Sequence, residues 1–162
     1  MINYPRKKSL SRIINCSAPG LIHESLKEKL RKEAANRGYT QNPEFKLPEC
    51  IPDVFMALNQ HPNCIFVGDA KDSTNETIHN QQTLERITKY IDKIDEAISA
   101  GDFDYVRFAI VTNDENAIDE WAETLNKLFE ERNFIPIEKE QNSFLKQKID
   151  DNSWITSCRY KK

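Results

Sequence analysis

The stretch CIFVGDAKDS, residues 64–73, begins as an apolar run and ends in acidic and basic side chains. Its first four residues are of the kinds found in strands that are buried on both faces. Side chains alternate across a strand, so Asp69 and Lys71 are expected to point to the same face where this strand ends. Such a pair is either a structural ion pair or one part of a functional site.

Composition predicts a folded cytoplasmic protein with one core. The chain has 162 residues, of which 38% are hydrophobic and 30% are charged. It contains no apolar segment of the roughly 20 residues that span a bilayer, and its N-terminus lacks the continuous apolar segment of a secretory signal. The four cysteines form no CxxC pair, which argues against a compact zinc site and favours reduced thiols.

The formal net charge of -3 gives no general attraction to nucleic acid. Basic side chains nevertheless gather near both ends of the chain, and an acidic protein can carry a local basic surface. These residues are Arg6, Lys7, Lys8 and Arg12 near the start, and Arg159, Lys161 and Lys162 near the end. Trp154 and Tyr160 lie close to the second group, where they would either stack on nucleic acid or belong to an ordinary surface tail.

The positions of proline and glycine and the periodicity of apolar residues predict an N-terminal arm, residues 1–20, followed by a single domain, residues 21–162. The arm ends at the Pro19-Gly20 pair, and a helix with apolar residues at helical spacing follows it. Gly38 is the expected stop of that helix. The next predicted elements are strands at 43–47, 53–58 and 64–70, with a polar turn at 59–63.

The second half alternates helices with strands. A helix with isoleucines at steps of three and four ends at Gly101, and a nearly continuous apolar strand follows at 105–112. The remaining predicted elements are a helix at about 116–132, a short edge strand at 134–138 that contains Pro136, and a final strand in the tail SWITSCRYKK. This order predicts an α/β protein with a three-layer core, in which helices flank a mixed central sheet.

Asp53 lies at the beginning of the predicted strand that precedes residues 64–70. In a meander, the beginning of one strand lies beside the end of the next, so Asp53 and Asp69 should meet at one end of the sheet. Two carboxylates at that distance repel each other unless a cation lies between them, and Mg²⁺ prefers oxygen ligands. Lys71 would stand beside them, able to orient a water or to neutralise charge on a phosphate.

The pattern Pro52-Asp53 followed by Asp69-Ala70-Lys71, with a helix on either side, resembles the PD-(D/E)XK nuclease superfamily. That superfamily includes restriction endonucleases, Holliday-junction resolvases and DNA-repair nucleases. The resemblance covers about residues 21–112, including the order helix, three-strand meander, helix and strand. It implies a restriction-endonuclease-like fold.

The resemblance also implies roles for the residues of the motif. Asp53 and Asp69 would be the metal-binding carboxylates, with the backbone carbonyl of Ala70 as a further ligand. Lys71 would assist the attacking water. The implied cofactor is Mg²⁺, with Mn²⁺ as a substitute.

Two helices are expected to complete this site. An acidic residue on the first helix, Glu24 or alternatively Glu28, would be a further metal ligand. On the second helix, Gln82 is the candidate polar residue near the site, with Arg86 and Tyr90 following at intervals of four. Both assignments compete with the simpler interpretation that acidic and amide side chains on amphipathic helices face solvent. The three histidines are not spaced like metal ligands.

The implied activity is metal-dependent hydrolysis of a phosphodiester, as in a DNA endonuclease. Cutting both strands needs two active sites, so a homodimer is expected. Two alternatives stay open: an RNA-cleaving, toxin-like nuclease of the same fold, and a nuclease-fold interaction module that does not catalyse. No motif in the sequence predicts which bases or which nucleic-acid structure would be recognised.

Overall fold

The computed structural model describes residues 10–41, 47, 51–58, 63–74, 76–137 and 145–162. Within these residues there are three helices, which are α1 (Leu10–Asn36), α2 (Gln81–Ser99) and α3 (Glu115–Glu131). The strands are β1 (Val54–Ala57), β2 (Cys64–Lys71), β3 (Tyr105–Thr112), β4 (Ile135–Pro136), β5 (Leu145–Asp150) and β6 (Ser153–Lys161). The fold class is α/β, as the sequence predicted.

The six strands form one mixed sheet in the order β1-β2-β3-β6-β4, with β5 also paired to β6. β1 pairs antiparallel with β2, and β2 pairs parallel with β3. The chain passes through α2 between these two parallel strands, because parallel neighbours need a long crossover. β6 is antiparallel to β3 and also pairs with β4 and β5. The prediction of a mixed sheet is therefore confirmed.

Helices cover both faces of the sheet. α1 packs on one face, where Leu30 contacts a cluster that includes Phe66. α2 and α3 pack on the other face, where Ile91 and Trp121 join a cluster that includes Val67. Because side chains alternate along β2, Asp69 and Lys71 continue the row of Val67 and lie on the α2 side of the sheet.

Several predicted elements are confirmed with small changes in their bounds. The strand at 105–112 is β3, and the short strand around Pro136 is an edge strand paired with β6. α2 begins after Asn80, whose side chain accepts a hydrogen bond from the Thr83 N–H, and α3 begins after Asp114 in the same manner. These caps explain why both helices start where their apolar periodicity starts.

The start of the first helix was predicted wrongly. α1 begins at Leu10 and continues through Pro19 and Gly20, which were expected to end an N-terminal arm. Proline has no N–H to donate and disfavours a helix interior, yet here it removes one hydrogen bond without ending the helix. The predicted strand at 43–47 falls outside the described residues except for Leu47, which is buried.

The tail contributes more to the sheet than expected. β6 occupies a central position, and β5, which the sequence did not predict, forms a hairpin with it. The Asp150 carboxylate stabilises the turn by accepting hydrogen bonds from the Asn152 N–H and the Ser153 hydroxyl. β5 escaped prediction because it is a polar strand that exposes Lys146 and Lys148.

The close contact between α1 and β2 gives a test of the packing. A Cβ atom at Gly68 would lie 2.8 Å from Cδ2 of Leu30, which is fully buried. We expect Gly68→Ala to lower the free energy of unfolding by about 1–3 kcal/mol, the usual cost of overpacking a core. Urea denaturation measures this change. Gly20→Ala is the matched control, because no heavy atom lies within 4 Å of its added Cβ. An unchanged Gly68→Ala variant would contradict this packing.

Candidate active site at one end of the sheet

The register of β1 and β2 brings Asp53 and Asp69 together. Val54 pairs with Gly68, so the residue before Val54 lies opposite the residue after Gly68. The Asp53 N–H donates a hydrogen bond to Asp69 Oδ1 at 2.8 Å, and the Ala70 N–H donates to Asp53 Oδ2 at 2.9 Å. The meeting of these two carboxylates at one end of the sheet agrees with the sequence prediction.

Lys71 is buried beside Asp69. Its Nζ lies 2.8 Å from Asp69 Oδ2 and 3.7 Å from Glu76 Oε2. The side chains of Lys71 and Asp69 are each only 1% exposed. A buried ammonium is tolerated when carboxylates compensate its charge, so these contacts hold the Lys71 amine at the sheet end.

Burial raises the pKa of Asp69 from 3.8 to about 6. Loss of solvent is the largest cause, because it disfavours the charged carboxylate. The Lys71 ammonium opposes this change by favouring the carboxylate, and the nearby Asp53 adds to the increase by repulsion. Carboxyl groups with strongly shifted pKa values in such surroundings are typical of functional sites.

His23 and Glu76 also belong to the cluster, although the sequence did not predict them. His23 projects from α1, and its Nε2 lies 3.3 Å from Asp53 Oδ2 while its Nδ1 lies 3.1 Å from Glu76 Oε1. Glu76 follows β2 in the loop before α2, and its Oε1 also accepts the Asp72 N–H at 3.3 Å. The sequence feature that could have indicated Glu76 was an acidic residue only five positions after Lys71, in the loop that follows the strand.

The structure does not bring Glu24 or Glu28 to the carboxylates. Both side chains are exposed on α1, and Glu28 pairs with Arg31 at 2.8 Å. Successive helical residues point about 100° apart. The rotation of α1 on the sheet therefore turns His23, rather than Glu24, toward Asp53.

On α2, Arg86 and Tyr90 both lie within the electrostatic influence of Asp53 and Asp69, whereas Gln82 is exposed on the first turn. The Arg86 Nε donates to the Tyr90 hydroxyl at 2.9 Å, and that hydroxyl donates to the Ile51 carbonyl at 3.0 Å. Partial burial lowers the pKa of Arg86, but the hydrogen bond with Tyr90 and the negative charges of the two aspartates outweigh it and raise the pKa. Arg86 is therefore a permanent positive charge near the site.

Both aspartates offer oxygen donors, the type that Mg²⁺ prefers. Their oxygens are engaged by backbone N–H groups, by Lys71 and by His23. Over the part of the chain that the structure describes, no group of three or more His, Cys, Asp or Glu side chains is arranged to hold a metal ion. The donor chemistry fits Mg²⁺, whereas a preformed three-ligand cage is not seen among these residues.

A groove of about 470 Å³ runs along α1 at the same end of the sheet, since its lining residue Asn113 follows Thr112, which pairs with Lys71. Its lining residues are Leu21, Ile22, Ser25, Leu26, Lys29, Asn113 and Asn152. Leu21 is 63% exposed, and Lys29 pairs with Asp150 at 2.9 Å. The groove combines an apolar wall with amides and one lysine beside the helix turn that carries His23.

The basic C-terminal residues lie at the opposite end of the sheet. β6 starts beside Thr112 and ends beside Val106, far along the sheet from Asp69. Tyr160 is buried and stacks on Phe129 with ring centroids 4.3 Å apart, and Lys162 pairs with Asp95 at 2.9 Å. The interpretation in which Tyr160 stacks on nucleic acid is therefore wrong.

No protein-family model, curated protein or solved structure matches this chain. The superfamily resemblance thus depends on the motif and on the order of elements. Of the helices that the structure describes, none is both long enough and apolar enough to cross a lipid bilayer.

The environment of Asp69 predicts a specific pH dependence. Side-chain ¹³C NMR should give a pKa of about 6 for Asp69 and of about 2 for Asp150, which is held down by its hydrogen bond with Lys29. Between pH 3.8 and about 6 the folded state then binds more protons at Asp69 than the unfolded state does. Its contribution to the free energy of unfolding therefore falls as pH rises through this range.

Urea denaturation across the same pH range provides a second measurement. In Asp69→Asn, the free energy of unfolding should no longer carry the decrease with rising pH that Asp69 contributes in the wild type, because asparagine does not titrate. Equal pH slopes in the two proteins, or an Asp69 pKa near 4 by NMR, would contradict the buried environment.

Proposed function

We propose that this protein is a divalent-metal-dependent phosphodiesterase of the PD-(D/E)XK type, in the first place a DNA endonuclease. The observation that carries the proposal is the meeting of Asp53, Asp69 and Lys71 at one end of the sheet. Two carboxylates and a lysine are the residue types that this chemistry requires, and they come from adjacent strands in the expected order.

The arrangement of elements supports the same proposal. Helix α1, strands β1 and β2, helix α2 and strand β3 follow one another in the order that the resemblance implies. The remaining strand of the implied meander corresponds to residues 43–47, outside the described part of the chain apart from Leu47. A restriction-endonuclease-like fold is therefore part of the proposal.

Asp53 and Asp69 would hold the metal ion, with Mn²⁺ as a substitute for Mg²⁺. When bound, the ion supplies positive charge that neutralises a phosphate and lowers the pKa of a water. Lys71 would orient that water and offset negative charge on the phosphate, and its contact with Asp69 fixes the direction of its amine. Above a pH of about 6 the Asp69 carboxyl is ionised, the state that a metal ligand needs.

Arg86 would bind a substrate phosphate. It is exposed on the first turns of α2 and stays charged beside the aspartates. The planar guanidinium group suits phosphate oxygens better than a point charge does. A single chain would offer one such site, so cleavage of both DNA strands calls for a homodimer.

One observation favours a second candidate, a nuclease-fold module that binds a partner without catalysis. Asp69 and Lys71 are each only 1% exposed and contact each other directly. A closed ion pair of this kind also stabilises a sheet end without any substrate. Catalysis that depends on both a divalent metal and Lys71 distinguishes the two candidates.

The first experiment is a cleavage assay on supercoiled plasmid, linear DNA, branched DNA and tRNA, with Mg²⁺, Mn²⁺ or EDTA. We expect metal-dependent cutting that Lys71→Ala and Asp69→Asn reduce at least about 100-fold, because the first removes positive charge beside the phosphate and the second removes a carboxylate that would hold the metal ion. Lys161→Ala is the control, since Lys161 is exposed at the opposite end of the sheet. Circular dichroism verifies that each variant is folded.

The substrate that is cut selects between the DNA and RNA forms of the proposal. Preference for tRNA over every DNA would move the proposal to a toxin-like ribonuclease. A folded wild-type protein that cuts none of the four substrates with either metal would favour the non-catalytic module.

A further inference from the structure

Three large hydrophobic side chains, here called the apolar rim, are exposed around the candidate site. Leu21 is 63% exposed, Ile22 is 39% exposed and Ile51 is 86% exposed. Leu21 and Ile22 directly precede His23, which contacts Asp53 at 3.3 Å, and Ile51 lies two residues before Asp53. Isolated exposed hydrophobic side chains are common on proteins. In the described part of the chain, however, only one other large hydrophobic side chain is exposed, so the grouping is specific to this end of the sheet.

The backbone of Ile51 is fixed. Its carbonyl accepts a hydrogen bond from the Tyr90 hydroxyl at 3.0 Å. Pro52, which is buried, restricts the residue before it to an extended conformation. The Ile51 side chain is therefore held in solvent by a constrained backbone, an arrangement that favours contact with a ligand over packing within the chain.

A cation accompanies each part of the apolar rim. The Arg86 Nε donates to the same Tyr90 hydroxyl at 2.9 Å, so its guanidinium group lies near Ile51. On the α1 side, Lys29 lines the groove and pairs with Asp150 at 2.9 Å. A matching ligand presents anionic groups next to apolar faces. A polynucleotide has this character, because its phosphates alternate with bases along the strand.

The groove beside Leu21 has the chemistry of a nucleobase site. Its volume of about 470 Å³ lies in the range of small-molecule sites. Leu21 and Ile22 offer an apolar wall for the face of a base. The Asn113 amide oxygen accepts the Ser73 N–H at 2.9 Å, which fixes the amide, and its N–H₂ group can donate to the edge of a base. Apolar contact with the face and hydrogen bonds to the edge are how proteins hold bases outside a stack.

A base contacts such a surface only when its own face is open. In a continuous duplex the bases stack on one another, and the outside of the helix presents phosphates and sugars. We propose that the apolar rim and the groove bind unpaired nucleobases of a DNA strand next to the phosphate at the carboxylates. The inference rests on the proposed function for the position of that phosphate. It names the substrate class as DNA with unpaired nucleotides at the cleavage position, such as a single strand or a flap.

The test is binding of a fluorescent oligothymidylate of about 15 nucleotides, a length that covers a single-strand site. It is measured in EDTA, and again with Mg²⁺ in the Asp69→Asn background, so that the strand is not cut. We expect Leu21→Ser and Ile51→Ser each to weaken its binding about 5-fold or more, because each removes an apolar face for a base. Binding of a continuous duplex of equal length should change less than about 2-fold, because its bases are stacked on one another.

Ile135→Ser is the matched control. Ile135 is 54% exposed, but it lies beside Lys161 at the opposite end of the sheet, so both affinities should stay unchanged. Leu21→Phe separates base contact from damage to the fold, because a phenyl ring also offers a face on which a base can stack. This variant should bind oligothymidylate at least as tightly as the wild type. A loss of affinity equal to that of Leu21→Ser would overturn the contact between Leu21 and a base.

A second copy of the chain is the competing occupant of the apolar rim. Sedimentation velocity of the wild type and of Leu21→Ser distinguishes it from DNA. A wild-type dimer that Leu21→Ser converts to a monomer would overturn the inference, because the rim would then be covered by protein. We expect the same oligomeric state in both proteins.

The remaining outcomes separate this inference from the proposed function. Selective loss of oligothymidylate binding in the rim variants supports base binding even where the wild type cuts no substrate, a result that overturns the nuclease alone. Metal-dependent cutting by a protein whose rim variants bind the single strand like the wild type overturns this inference alone. Equal weakening of single-strand and duplex binding overturns the restriction to unpaired bases. A folded wild-type protein that binds no oligothymidylate in either condition overturns the inference.

Discussion

The pairing of β1 with β2 is the constraint on which the candidate site depends. At the end of this pair, side-chain carboxylates replace backbone carbonyls as hydrogen-bond acceptors. Asp53 and Asp69 each accept a hydrogen bond from a backbone N–H of the other strand. A slip of one residue would turn Asp69 and Lys71 to the opposite face of the sheet. Every side chain of β2 is buried against helices on one face of the sheet or the other. This burial fixes the register of β2 and therefore the positions of Asp69 and Lys71.

Burial of charge links the site to the stability of the fold. Lys71 and Asp69 are removed from water, and each is acceptable there only because the other is present. The same environment shifts the Asp69 pKa toward neutrality, so the carboxylate is held at a cost that the surrounding core must offset.

The sequence predicted the parts of the fold that depend on local pattern. Alternation along β2 and the turn predicted at 59–63 were sufficient to predict that Asp53 lies beside Asp69. The contact of His23 with Asp53 was not predictable in this way, because it depends on how α1 is rotated on the sheet. The position of Glu76 depends on a loop held by Asn113 from a distant part of the chain. β5 is a polar strand, so its sequence has no apolar alternation from which a strand could be predicted. Its place in the sheet comes from pairing with β6.

The central position of β6 has a consequence for synthesis on the ribosome. His23, Asp53, Asp69, Lys71 and Glu76 all lie in the first half of the chain, and β2 can pair with β3 once residue 112 has emerged. β3, however, pairs on its other side with β6, which comes from residues 153–161. The edge of β3 that pairs with β6 is therefore unpaired until residues 153–161 have emerged. Unpaired edges of apolar strands promote aggregation. Chaperone demand should be greatest in the interval after β3 has emerged and before β6 has emerged.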